Sequence, residues 1–204
     1  YIRYGFGIEA EGLLREFDAP FPERAALLDL ARAVEGRPVA PDGPLALTGA
    51  CPGAHGLWLA IGGAAPAYHD AAGFALVQEA FEALPTDMRA LVGARLMTRL
   101  LDADRPAEAR LIHDTAIRPG VAASDEMRLA EARLTAAEGH PMDAARAMNG
   151  LATENSAVSV EALARLARLA LDADLPAPGN LVTDLRAAAL ENRHTAREPE
   201  LRGL

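Results

Sequence analysis

A cysteine and a histidine four residues apart have the greatest potential for covalent chemistry in this sequence. Cys51 is the only cysteine, and it precedes a predicted helix in the stretch TGACPGAHG, which also contains His55. A thiol at a helix N-terminus beside an imidazole ionises more readily and becomes nucleophilic. The same pattern is typical of a small buried cysteine in a Pro/Gly turn. The sequence favours this second interpretation, and an enzyme or thiol-dependent site using Cys51 and His55 is the alternative.

The five histidines show no spacing typical of a metal or cofactor site. No two of them lie one helical turn apart beside a glutamate, and the sequence has neither a Gly-x-Ser-x-Gly elbow nor a phosphate loop. His69 and His113 each precede an aspartate, but neighbours on a helix are expected to point in different directions. The sequence therefore predicts no cofactor and no metal.

Arginines at helical spacing are the best candidates for binding. All 20 basic residues are arginine, and Arg95 and Arg99 lie one turn apart. Arg133 and Arg168 are 35 residues apart, so they would be equivalent in a repeating structure. Such a ladder could hold the carboxylates of an acidic peptide. The sequence favours the alternative, in which these arginines pair with neighbouring acids. The predicted binding set is Arg95, Arg99, Arg128, Arg133, Arg165 and Arg168.

The overall charge excludes two classes of partner. The formal net charge is −9, which repels nucleic-acid backbones and anionic membranes. The longest apolar run, residues 57–68, is too short and too broken by Gly and Pro to span a bilayer. We therefore expect no nucleic-acid partner and no membrane insertion. The lack of lysine is typical of GC-rich bacterial genomes, so we expect a soluble bacterial protein of cytoplasm or periplasm.

Three prolines at a constant interval predict how the arginines are positioned. Pro106, Pro141 and Pro176 are 35 residues apart, and an apolar stripe of helical period precedes each of them. Proline is favoured in the first turn of a helix, so each unit reads as a long helix, a turn and a shorter helix. Only 4% of residues are aromatic, which favours helices over strands. The predicted first helices are 86–104, 124–139 and 159–174, and the second helices are 106–117, 141–152 and 178–192.

This pattern resembles the tetratricopeptide repeat. Ala132, Gly139 and Ala144 have the spacing of that family's small residues, and the resemblance covers roughly residues 86–192. It implies an all-α, right-handed array of stacked helical hairpins whose groove binds peptides or partner proteins. Pentatricopeptide repeats have a similar period but bind RNA, which the acidic charge argues against.

The N-terminal part, residues 18–85, is predicted to be irregular. It has helices at 22–36, 54–63 and 73–84 and a loop rich in Pro and Gly at 37–53. Gly5 and Ala10 repeat the spacing of a hairpin turn, so we expect the chain to begin inside a repeat. The sequence thus predicts one helical repeat domain over 1–204, a fragment of a longer protein, with self-association through open repeat ends as one option.

The residues together predict a non-catalytic protein-interaction scaffold that binds a peptide or partner protein on its surface. Two alternatives stay open at this point. One is the thiol-dependent or enzymatic site at Cys51 and His55, and the other is a purely structural spacer.

Overall fold

The structure is a computed structural model, and it is all-α. It describes residues 1–16, 21–47, 52–64, 70–117, 122–154, 156–195, 199, 201 and 203–204. These ranges contain eleven α-helices and no strand, so the predicted all-α class is confirmed. The chain forms two compact units, Tyr1–Val121 and Ala122–Leu204.

The first unit begins with a 3-10 helix at Ile2–Tyr4 and continues through seven α-helices. Helix α1 packs on α2, α4 on α5 and α6 on α7, while α2 and α6 each also contact α4. The α-helices of this unit are α1 (Gly7–Glu16), α2 (Arg24–Val34), α3 (Pro44–Leu47), α4 (Pro52–Ile61), α5 (Ala71–Glu82), α6 (Thr86–Asp102) and α7 (Pro106–Ala116).

In its described residues, the second unit packs helices α8 to α11 around one apolar core. Helix α9 packs against both α8 and α10, and α11 packs against α10. Small residues allow the close approach of these helices, because Ala144 and Ala162 are completely buried. The helices are α8 (Asp125–Ala137), α9 (Pro141–Thr153), α10 (Ser159–Asp172) and α11 (Leu181–Glu191).

The same backbone turn follows α6, α8 and α10. Asp104, Gly139 and Asp174 all have positive φ, at 56°, 89° and 50°. In each case the next residue donates its N–H to a carbonyl five residues earlier, which is the six-to-one bond of a Schellman C-cap. These bonds join Arg105 to Leu100 (2.9 Å), His140 to Thr135 (3.1 Å) and Leu175 to Ala170 (2.9 Å). The 35-residue pattern therefore predicted three turns of one conformation.

The expected turn near the N-terminus is also present. Gly5 has φ 81°, and the Phe6 N–H donates to the Tyr1 carbonyl over 3.2 Å, as in the later turns. Ala10 is buried, like Ala144 at the matching place in α9. Helix α1 then approaches α2 very closely. A Cβ added to Gly7 would lie 2.3 Å from the Ala31 carbonyl oxygen, so only glycine fits there.

Three local predictions differ from the structure. Helix α11 begins at Leu181 and not at residue 178, because Gly179 and Asn180 form a turn in which the Leu181 N–H donates to the Pro178 carbonyl over 3.0 Å. The predicted loop at 37–53 contains the short helix α3. Thr86, Ser124 and Ser159 stand at the start of an apolar stripe and are predicted N-caps. Ser124 accepts the Met127 N–H over 3.2 Å, whereas Thr86 and Ser159 are the first residues of their helices.

Candidate functional site

An apolar groove lies beside α11 in the second unit. Its volume is about 560 Å³. One wall is a stripe of α11, in which residues three and four apart lie on the same side of the helix. The other wall is formed by Leu201 and Leu204 near the C-terminus. The lining residues from α11 are Val182, Leu185, Arg186, Ala189 and Leu190.

Helix α11 has more apolar surface than its packing against the core of the second unit buries. Leu181, Leu185 and Ala188 belong to the core of the second unit. Val182 and Leu190 instead remain 58% and 61% exposed. Isolated exposed apolar side chains are ordinary, but two large ones on the same side of a helix, lining one groove, are typical of a binding surface.

Arg186 is the charged residue among the described residues that line this groove. The side chain is exposed, and within the described ranges no hydrogen bond or ion pair engages it. A guanidinium partly surrounded by apolar side chains binds a carboxylate more strongly than one in open water. The groove can therefore accept an apolar surface that carries one acidic group.

A second, shallower groove lies in the first unit, between α4 and α5. Its volume is about 410 Å³, and its lining residues are Ala54, Leu76, Glu79, Ala80, Ala83 and Leu84. Leu76 is 47% exposed. Glu79 is the charged residue of this lining, and in the described part of the chain its carboxylate has no hydrogen bond or ion pair.

Arg99, one of the predicted binding residues, is used inside the first unit. Its guanidinium donates one hydrogen bond to the Gly36 carbonyl over 2.9 Å and another to the Ile61 carbonyl over 3.2 Å. Ile61 is the last residue of α4, where helices leave carbonyl acceptors unsatisfied, and Gly36 lies in the turn that follows α2. Arg99 therefore caps α4 and joins it to the turn after α2. Arg95, one turn earlier, is half-buried and packs its stem against Gly36.

Arg128 is held by carboxylates within the second unit. Its two terminal nitrogens each lie 2.7 Å from an oxygen of Glu154, and Asp125 lies 3.0 Å away. The hydrogen bonds from Arg128 hold the pKa of Glu154 below its ordinary value. Glu154, and to a lesser degree Asp125, raise the pKa of Arg128. The Arg128 guanidinium is therefore already paired with the carboxylates of Glu154 and Asp125.

The other three predicted arginines also lie on first helices of the second unit. Arg165 pairs with Glu161 over 3.5 Å, one turn away on α10, as the alternative interpretation of the arginines anticipates. Arg133 is half-buried on α8, and Arg168 is exposed on α10. Of the predicted set, Arg99, Arg128 and Arg165 thus make intramolecular contacts with carbonyls or carboxylates.

The residues of the thiol hypothesis are only partly described. Cys51 lies outside the described residues, and His55 is half-buried in the first turn of α4. Nowhere in the described ranges do three or more His, Cys, Asp or Glu side chains come together in a way that could hold a metal ion. None of the described helices is long and apolar enough to cross a bilayer.

A buried charge cluster between α1 and α2 was missed by the sequence analysis. Glu11 is only 5% exposed, and it accepts hydrogen bonds from Arg37, from Arg15 (2.6 Å) and from Arg32 (3.2 Å). The hydrogen bond from Arg37 is the largest cause that holds the pKa of Glu11 below its ordinary value, although burial raises it. The spacing of four residues between Glu11 and Arg15 is a signal in the sequence, but Arg32 and Arg37 come from other segments and gave none.

One expectation about the histidines is wrong. His113 and Asp114 are neighbours on α7, yet His113 Nδ1 and Asp114 Oδ1 are 3.0 Å apart. The imidazole is buried, and Arg110 is also 3.4 Å from its Nδ1. The short aspartate side chain can reach the ring of the preceding residue, which the directions of the Cα–Cβ bonds alone do not show.

Comparison of the chain with protein-family models, with curated proteins and with solved structures finds no match in any of the three.

Proposed function

We propose that this chain is a non-catalytic protein-interaction module and that its α11 groove binds an amphipathic helix of a partner protein. The observation that carries the proposal is the combination of exposed Val182 and Leu190 with Arg186 between them, which is unpaired within the described residues. Binding of an amphipathic helix in an apolar groove is a common mode of peptide recognition, with contacts at every third or fourth residue.

The chemistry of the groove defines the partner. Apolar side chains about two turns apart on the partner helix would contact Val182 and Leu190. A glutamate or aspartate between them would pair with Arg186. This occupant is consistent with the resemblance to stacked helical hairpins, because in such arrays one hairpin buries an apolar face against the next. The repeated turn after α6, α8 and α10 supports that arrangement without requiring the arginine ladder.

Site-specific photo-crosslinking in cells that produce the full-length protein tests the proposal. A photoreactive phenylalanine at Val182 lies in the groove, whereas the same residue at Ala187 lies exposed on α11 but outside the groove lining. We expect a discrete crosslinked product from position 182 only. The substitutions Arg186→Glu and Leu190→Asp should each remove that product.

Helical circular dichroism of each variant provides the control for folding. Equal crosslinking at positions 182 and 187 would refute the groove as a binding site. So would a product at 182 that persists in both substituted variants while they remain folded. The absence of any product would favour a structural spacer.

A further inference from the structure

We propose that the occupant of the α11 groove is a second copy of this chain, which places its α5 face there; this inference rests on the function proposed above. The two surfaces that would meet are defined here by their residues. The α11 face comprises Val182, Arg186, Ala189 and Leu190. The α5 face comprises Leu76, Glu79, Ala80, Ala83 and Leu84.

The two faces match in charge. Each presents one charged side chain among apolar ones, Arg186 on α11 and Glu79 on α5. The structure gives neither side chain an ion-pair or hydrogen-bond partner within the described residues. Opposite charges on facing apolar surfaces set the register of an interface and reject other partners. Arg186 of one copy and Glu79 of another therefore satisfy one another.

The two faces also have a similar spacing of their leucine and valine ends. Val182 and Leu190 are eight positions apart on α11, about 12 Å along its axis, and Leu76 and Leu84 are also eight positions apart, with Leu84 in the turn that follows the end of α5 at Glu82. If α5 and α11 run antiparallel, Leu76 lies opposite Leu190, and Leu84, past the end of α5, lies toward Val182. Arg186 then lies opposite Ala80, one position from Glu79. The apolar ends and the central charges are thus aligned by a single pairing of the helices.

Small residues make close packing of these faces possible. Ala80 on α5 and Ala83 at its C-cap present only methyl groups, and Ala189 on α11 is small and mostly buried beside the groove. Helices that meet at alanines reach the shorter end of the usual interaxial range of about 8–10 Å, which lets the flanking leucines interdigitate. The contact joins different surfaces of the two copies, so it is heterologous. It produces either a closed assembly or an open chain, depending on the rotation between copies.

Charge reversal followed by mixing tests this inference. The wild-type full-length protein and its Glu79→Arg and Arg186→Glu variants are each measured by sedimentation equilibrium over a range of concentrations. The wild-type protein should associate, and each variant should associate at least about tenfold more weakly, because like charges then face each other. The matched controls are Asp172→Arg and Arg146→Glu, exposed residues outside both faces, which should associate like the wild type.

An equimolar mixture of the two variants gives the decisive result. In the mixture, the arginine introduced by Glu79→Arg can meet the glutamate introduced by Arg186→Glu, and the native Glu79 and Arg186 can meet in the other contact. Association should therefore return to the wild-type level. Failure of the mixture to recover, or unchanged association of both single variants, would overturn the inference.

The crosslinking experiment separates this inference from the proposed function. If the wild type is monomeric and position 182 crosslinks to a different protein, the inference is overturned and the proposed function is left intact. A monomer without any crosslink would refute both.

Discussion

Substitution of Arg99 separates a structural role from a binding role. In Arg99→Met the aliphatic stem is kept, but the Gly36 and Ile61 carbonyls lose their shared donor. A hydrogen bond from a charged group contributes about 1.5–3 kcal/mol. Because Arg99 is half-exposed and water can replace part of the loss, we expect the two bonds together to contribute about 2–4 kcal/mol to the free energy of unfolding.

The assay uses the position of the single tryptophan. Trp58 lies on α4, the same helix that Arg99 caps through Ile61, so its fluorescence reports on the affected unit during urea denaturation. Arg99→Lys should retain about half of the stabilisation, since an ammonium group lacks the planar fork that reaches both carbonyls. Arg146→Met, on an exposed arginine, should change stability by less than about 0.5 kcal/mol. A loss below about 1 kcal/mol in Arg99→Met would refute the capping role.

Two further predictions concern α1 and the repeated turn. Because the folded protein lowers the pKa of Glu11, this carboxylate stabilises the fold above its ordinary pKa of 4.5, and the stabilisation is lost as the pH falls through the folded value. Unfolding on acid titration is monitored by circular dichroism. Glu11→Gln should be less stable than the wild type at pH 7 and should lose less stability on acidification. Glu9→Gln, exposed on the same helix, should behave like the wild type. Gly139→Ala should destabilise the protein by about 1 kcal/mol because alanine disfavours a positive φ, while Gly150→Ala, inside α9 and in open space, should stabilise it by about 0.5–1 kcal/mol. If both glycine variants shift the thermal midpoint in the same direction, the left-handed turn does not control stability.

Local signals in the sequence predicted the elements and turns well. The apolar stripes and the prolines located α6 to α10 to within about two residues, because helix starts, stops and amphipathicity are properties of neighbouring residues. The aspartates at 104 and 174 could be aligned with Gly139 because aspartate tolerates the left-handed region better than most residues. The late start of α11 follows from a turn at Gly179 and Asn180, which are residues that favour turns over a helix start.

The sites were much less predictable, since they depend on residues far apart in the chain. Arg99 was a candidate binding residue because it lies one turn from Arg95, whereas its guanidinium bonds to carbonyls 38 and 63 residues earlier. The carboxylate of Glu11 is matched by arginines 21 and 26 residues away. The α11 groove depends on which apolar residues the core leaves uncovered, and helical periodicity alone does not distinguish those from residues that are buried.

The position of Arg99 also has a consequence for the order in which the first unit can fold. Its hydrogen bonds close chain segments of 63 and 38 residues, so they contribute strongly to the contact order of this unit. During synthesis at about 5–20 residues per second, the ribosome needs about 3–13 s to add those 63 residues. Through that interval the turn after α2 lacks this hydrogen bond, and the C-terminal end of α4 lacks its cap while the last 38 residues are added, so a chaperone that protects nascent helices would have its greatest effect then.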